Sequence, residues 1–361
     1  MKKNIKSIIL LLLVFFISNI EVTKIIPATS YYMSFREVSQ ISNRLLYQDI
    51  EFYSNKIYVA TGTGISIIDV RDPKIPKEIN FITVSEDTHR ISIQNNLLFV
   101  AALWDGLYIY DISDPRNVSF VSHYNNNHYV YGVKPHGNLL FVPIFSEGLL
   151  VLDCTDPSNI HLVNHYDGGY KIGTIDIQGE IAYTSCGTAG IRILNISNVL
   201  NIYEIGIFPA KSHFQDVVEN DNIVYTVDFN YGFYILDVSD PTNPTKLARE
   251  RGMSYSVTVI DKITSKIAYI AGYENGLRVY NVTKPSKPKL MGTYYDGGYL
   301  HDVVVRGDYI YIADGYDGLE VLFYQYVLDK AHGIGYPFGI VSMICLTLIY
   351  LHKRRNKAKN T

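Results

Sequence analysis

From residue 46 to about 325 the chain consists of short runs in which apolar and polar positions alternate, set between tight polar turns. Alternation over six or seven residues is the period of a strand with one buried face. Seven of these runs open on a glycine and read GISIIDV, GLYIYDI, GLLVLDC, GIRILNI, GFYILDV, GLRVYNV and GLEVLFY. Their glycines, Gly64, Gly106, Gly148, Gly190, Gly232, Gly276 and Gly318, are 42 residues apart in every interval except one of 44. Just ahead of each lies a second strand with an aromatic ring at one fixed place: Tyr58, Phe99, Phe141, Tyr183, Tyr225, Tyr269 and Tyr311. Such a stripe is expected to pack between neighbouring units rather than to bind a ligand. Each unit has two more strands, one before a polar turn, as in DVVVRGD ahead of YIYIAD, and one after an Asp-Pro turn, as in PKEINFITV. No stretch between residues 31 and 328 carries a convincing helical period.

A unit of this kind cannot bury its apolar face alone, and four short antiparallel strands per repeat of about 42 residues make the blade of a propeller. The expected fold is all-β, a seven-bladed β-propeller, with blades near residues 46–87, 88–129, 130–171, 172–213, 214–255, 256–299 and 300–328. Asp72-Pro73, Asp114-Pro115, Asp156-Pro157 and Asp240-Pro241 combine an Asx-type hydrogen bond with a fixed φ that stops the strand. Asp69, Asp111, Asp153 and Asp237, replaced by Asn195 and Asn281, suggest a hydrogen-bond register at the end of the third strand. Blade seven runs out after three strands. A ring must hide its edges, so residues 33–42 (MSFREVSQIS), within a closing segment 31–45, are expected to supply the fourth.

The Gly-led strand that ends in Asp, an aliphatic residue and then Asp-Pro, as in GLYIYDISDP and GLLVLDCTDP, resembles the LVIVD-repeat family of prokaryotic surface proteins from residue 46 to about 325. The resemblance implies a propeller at the cell surface and no particular chemistry. This chain departs from the pattern at Asn195 and Asn281, at Asn198-Val199 where Asp-Pro is expected, and after Leu322, where both motifs are lost.

The ends of the chain change the picture from a free propeller to an exported one. MKKNIK is basic, Ser7 to Ile20 is almost wholly apolar, and Pro27-Ala28-Thr29-Ser30 offers small residues for cleavage, so 1–30 reads as a signal peptide, with an uncleaved anchor as the alternative. After a linker at 329–333, Ile334 to Leu351 carries no charge and is long enough to cross a hydrocarbon core of about 30 Å as one transmembrane helix. The alternatives there are a buried core helix or a sorting signal exchanged for another anchor. Lys353, Arg354, Arg355, Lys357 and Lys359 make 352–361 a basic cytoplasmic tail, which places the propeller outside the cytoplasm at the cell membrane. Without the basic residues of both ends and Glu21, the outer part keeps 23 Lys and Arg against 34 Asp and Glu, a charge of −11. An acidic surface of that size argues against nucleic acid as a partner.

Candidate chemistry lies on the face where loops join successive blades and join second to third strands, a face rich in Tyr, Asn, Asp and Gly. Counting back from the aromatic stripe puts Gln48, His89, Tyr131, Gly173, Gln215, Val257 and His301 at the channel mouth. Asp49, Arg90, Gly132, Thr174, Asp216, Thr258 and Asp302 follow them inward. Trp104, the only tryptophan, sits beside Asp105 in a hairpin tip of the same face. The candidate ligand-binding set is therefore Trp104, Asp105, His89, Arg90, Tyr131, Gln215, Asp216, His301 and Asp302, facing a protein or a glycan. No catalytic residue, cofactor or metal ligand is assigned. A propeller hydrolase or metal-binding protein working at the channel mouth is the first alternative, and a structural component of the cell surface the second. Cys154 and Cys186 fall on opposite faces, beyond the ~7 Å reach of a disulfide, and are expected to be free thiols.

Overall fold

Each alternating run becomes a strand in the computed structural model, which describes residues 31–42, 45–85, 87–125, 127–145 and 147–328. Four antiparallel strands form each of seven separate sheets. Blade one is Tyr47–Tyr53, Lys56–Thr61, Gly64–Asp69 and Lys77–Thr83, and the sheets that follow start at Arg90, Lys134, Ile175, Phe214, Ser256 and Asp302. The first strand of every blade lines a central channel. Blade seven takes Asp302–Arg306, Tyr309–Asp314 and Gly318–Leu328, and its outermost strand is Tyr31–Ile41 from the other end of the chain.

The glycine that opens each third strand has a steric cause. Gly148 has a φ of +96°, and a Cβ there would lie 2.1 Å from the Tyr166 carbonyl oxygen of the fourth strand. Gly318, at φ +98°, stands in the same relation to Ile41 O, also at 2.1 Å, so the N-terminal strand occupies the place of a regular fourth strand. Three of the turns between first and second strands, Ser54-Asn55, Asn95-Asn96 and Asp221-Asn222, have two residues at positive φ, the geometry that suits the twist of a hairpin. At the end of the third strand Asp69, Asp111, Asp153 and Asp237 each accept a hydrogen bond from the backbone N–H two residues on, and Asn195 and Asn281 do the same. Asn198 also makes this bond, to Leu200 N at 3.1 Å, which is why the turn survives without its proline.

Adjacent blades are joined in three layers. Near the channel, Asp49 accepts from Ile91 N at 2.7 Å, Asp216 from Val257 N at 3.0 Å and Asp302 from Ile50 N at 3.2 Å, each bond crossing to the next blade. In the middle are seven apolar clusters, one per interface, and the aromatic stripe contributes one buried ring to each. At the rim, side chains of the fourth strand reach the turn of the next blade: Asn80 to Pro115 O, Ser122 to Pro157 O and Asn164 to Val199 O. Ser39 of the N-terminal strand completes this series, donating to Pro73 O at 2.6 Å across the blade seven to blade one junction. Cys154 and Cys186 are buried and unpaired, and burial raises both thiols, to about 11 and about 12.

Among the described residues no helix is long and apolar enough to cross a membrane. The signal peptide, the linker, the helix at 334–351 and the basic tail read from the sequence lie outside the described residues.

Two stability predictions follow from the packing. Removing residues 31–42 should expose the edge of Gly318–Leu328, lower the melting temperature and promote association, measured by calorimetry and light scattering against the intact chain. The Tyr225 hydroxyl is buried without a hydrogen-bond partner in a site that Phe99 and Phe141 fill in other blades. Tyr225→Phe should therefore be neutral or stabilising by about 1 kcal/mol, whereas Tyr225→Ala should cost about 3–5 kcal/mol in denaturant unfolding.

Candidate functional site

The innermost strands enter the channel from the loop-rich face, and backbone bonds fix which residue stands at the mouth of each blade. His89 N, Tyr131 N, Gly173 N and His301 N each bond a carbonyl of the second strand of their own blade, at Ala101, Pro143, Ser185 and Ala313. In blade six the same bond runs from Tyr255 N to Ala271 O, so Tyr255 and Ser256 take the positions that counting assigns to Val257 and Thr258. The cause is local. The turn Lys262–Ser265 has four residues in place of two, and the loop entering blade six is shorter to compensate. This places a second tyrosine at the mouth. Tyr131, whose hydroxyl is raised by burial and by the neighbouring Tyr255, carries His89 packed on its ring at 4.1 Å, and His301 packs edge-on to Tyr255 at 5.0 Å. Gln215, half-buried, bonds His213 at 3.1 Å. Burial, reinforced by Arg90, lowers His89 to about 3 and His301 to about 4, so both are neutral at pH 7.

One residue inward, the channel holds mixed charge around a cavity of about 230 Å³. Arg90 lies 3.4 Å from Asp49. Burial opposes its charge, but Asp216, Asp49 and Asp302 outweigh that and keep the guanidinium firmly protonated. Burial raises Asp49 to about 6 against the pull of Arg90, and raises Asp302 as well, with repulsion from Asp49 adding to it. Ser256 donates to both Asp216, at 3.0 Å, and Asp302, at 2.6 Å. Further down, Glu51 is pushed up to about 7 by burial and by Asp302, and Lys134 pairs with Asp176 at 2.7 Å. Asp49, Asp216 and Asp302 are thus the inter-blade bonds of the inner layer, with Arg90 as their counter-charge.

The nine residues read from the sequence fall into three places. Arg90, Asp216 and Asp302 are inside the channel, and His89, Tyr131, Gln215 and His301 cap it. Trp104 and Asp105 stand apart on a hairpin tip. Asp105 is held there: burial tends to raise its pKa, but hydrogen bonds from Ser85 and Tyr108 and the charge of His123 bring it below the usual range. Trp104 is 63% exposed and packs edge-on against Tyr129 at 5.0 Å.

Between cap and rim lies an aromatic collar that the sequence reading did not assemble. On one side Trp104, Tyr129, Phe145, Tyr131 and His89 form a continuous series of ring contacts, with Lys171 Nζ 4.1 Å above Phe145. On the other, Tyr273 touches Phe229, Tyr255, Tyr299 and His301. Tyr273 has a φ of 53°, a strained setting for a large residue. A signal did exist: Phe145, Phe229 and Tyr273 all stand three residues before the repeat glycine.

The inner ring makes a pH-dependent prediction. Arg90→Gln leaves Asp49 and Asp302 without their counter-charge and raises their folded-state pKa further. A carboxylate with a raised folded pKa stabilises below its unfolded value and loses that contribution as pH rises through the folded one. Chemical denaturation should show a deficit of about 3–5 kcal/mol at pH 7.5 that shrinks at pH 5. Equal deficits at both pH values would reduce Arg90 to a packing role.

The LVIVD repeat matches residues 86–126, 129–168, 213–249, 262–296 and 297–322. No curated protein matches the chain in sequence. Among solved structures, a computationally designed protein, Ika8, aligns with a TM-score of 0.61 at 9% identity, covering 80% of this chain and 100% of its own. A catalytically inactive variant of virginiamycin B lyase from Staphylococcus aureus, with quinupristin, aligns with a TM-score of 0.64 at 13% identity, covering 81% of this chain and 99% of its own. Identities this low speak to the fold alone. With five matched repeats and seven four-stranded blades, the chain carries LVIVD repeats and is a seven-bladed β-propeller.

Proposed function

We propose that the chain is a non-catalytic recognition module, anchored in the cell membrane with its propeller outside the cytoplasm, that binds a protein or glycan through the loop-rich face. The observation that carries this reading is the contrast between the two faces. In the loops of the loop-rich face the exposed large apolar residues are all aromatic: Trp104, Tyr231, Tyr295, Tyr299 and Tyr316. In the turns of the opposite face they are the aliphatics Ile75, Leu200 and Ile263, while further exposed rings, Phe120, Tyr203 and Tyr326, lie on strands. Rigid rings with polar tips give contact area at a low entropic cost, and beside Asn, Asp and Gly they suit recognition of sugars and protein surfaces.

Two features weigh against chemistry in the channel. His89 and His301 are held neutral and enclosed by tyrosines, and the channel carboxylates Asp49, Asp216 and Asp302 are already committed to backbone N–H groups of the next blade. The likeness to virginiamycin B lyase supports a shared fold and supplies no site.

Binding of native surface material to the immobilised chain tests the proposal. Trp104→Ala and Tyr299→Ala should each weaken retention by about 2 kcal/mol or more, with the melting temperature unchanged. Asn138→Ala and Asp308→Ala, in turns of the opposite face, should have no effect. Equal losses from both faces, in variants of equal stability, would remove the case for a single recognition face and favour an assembly role. The orientation is tested on intact cells: added protease should reach an epitope near residue 160 and spare one placed after Lys357.

A further inference from the structure

We propose that Asp296, Asp314 and Glu320 form a site for one divalent cation of the calcium type, at the junction of blades six and seven. One ligand oxygen from each lies within 4.8 Å of the others. Asp314 and Glu320 are each only 1% exposed, and Asp314 Oδ1 and Glu320 Oε2 have no hydrogen-bond partner. Asp296 is oriented into the cluster by Gly298 N at 3.3 Å and by the Tyr294 hydroxyl at 3.5 Å. Gly298 allows the loop to come down onto Asp314, since a Cβ there would lie 2.2 Å from Asp314 Oδ2. Among the described residues, two further charges that act on the cluster, Glu37 and Asp317, are also acidic. Buried carboxylates converging without a counter-charge are costly, and a bound cation removes the cost.

The repeat shows what belongs in this place. Glu320 stands two residues after Gly318, and the same position in blades four and six is Arg192 and Arg278. Arg278 reaches into the loop entering its blade, bonding Arg251 O and Met253 O at 2.6 Å each and Ser254 Oγ at 2.6 Å. Arg192 pairs with Glu204 and stacks over Tyr170, whose loop reads YDGGY like Tyr295 to Tyr299. In those blades a guanidinium is the cation beneath the loop. Among the described residues, blade seven has a carboxylate there, two more facing it and no ion pair to any of the three, so a cation from solution would supply the positive charge. All-oxygen ligands with no His or Cys select a hard cation, and an irregular loop suits the flexible coordination of calcium better than the strict octahedron of magnesium. The bound ion would tie the loop that carries Tyr295, Tyr299 and His301 to blade seven. The site itself does not depend on the recognition reading.

The test uses the full-length protein, stripped with chelator, dialysed and titrated with calcium chloride alone in a calorimeter. One ion should bind per chain with a dissociation constant on the order of 10⁻⁵ to 10⁻³ M, and at saturation the melting temperature should rise by roughly 5 °C. In Glu320→Gln and Asp314→Asn the affinity should fall at least about tenfold. In chelator neither variant should melt below the unmodified chain, because buried carboxyls without a counter-charge add no stability there. Tyrosine-sensitised terbium emission, displaced by calcium, reads the site in the unmodified chain should a variant fail to fold. No saturable binding of calcium, magnesium or manganese, or full binding retained in Glu320→Gln, would overturn the site. Preference for magnesium or manganese would overturn the assignment to calcium.

Discussion

A four-stranded sheet with apolar side chains on both faces can be covered only by two others, and the molecule depends on that constraint. Each blade contributes half of two interfaces, and each interface is a complete apolar cluster only when both neighbours are present. A linear stack would leave two faces open to water. Closing the ring removes them, and the strand Tyr31–Ile41 adds the last pairing from the far end of the chain. Ser39 shows how fully it takes the part of a repeat strand, since its bond to Pro73 O repeats those of Asn80 and Ser122.

The same constraint explains why so much of the polar channel is architectural. Near the axis the residues that face the channel are polar and lie outside the apolar clusters, which take Ile50, Ile91 and Val257 from the same innermost strands. Carboxylates that bond the N–H of the next blade hold the interface instead, at Asp49, Asp216 and Asp302. Converging there, they repel one another, and Arg90 sits among them as the compensating charge. What resembles a ligand site from composition is largely a means of joining blades.

Once the channel is committed to holding the ring together, the loops on its upper face are left to vary. They carry the aromatic collar, while the lower turns stay short because they must only reverse a strand. The acidic cluster at Asp296, Asp314 and Glu320 belongs to the same variable layer. It places three carboxylates where blade six has the guanidinium of Arg278.

Strand period, blade number, the buried stripe from Tyr58 to Tyr311 and the Asx turns were all legible in the sequence, because each depends on residues close together in the chain or on a repeat spacing. The LVIVD repeats, matched in five places, were legible from the same spacing. The candidate site was legible only in part. Trp104 was found as an exposed ring, but the partners that give it a context, Tyr129 and Phe145, come from other loops. Tyr255 was missed because a longer turn at Lys262–Ser265 and a shorter loop before it nearly cancel in the spacing of the glycines. Asp296, Asp314 and Glu320 are ordinary acidic residues in the sequence and become a cluster only where two blades meet. Sequence by itself determined the repeating unit, since a strand and its turns are set by neighbouring residues. Tertiary structure decided which polar groups are committed, exposed or brought together, since that depends on loop lengths and on contacts across closed interfaces.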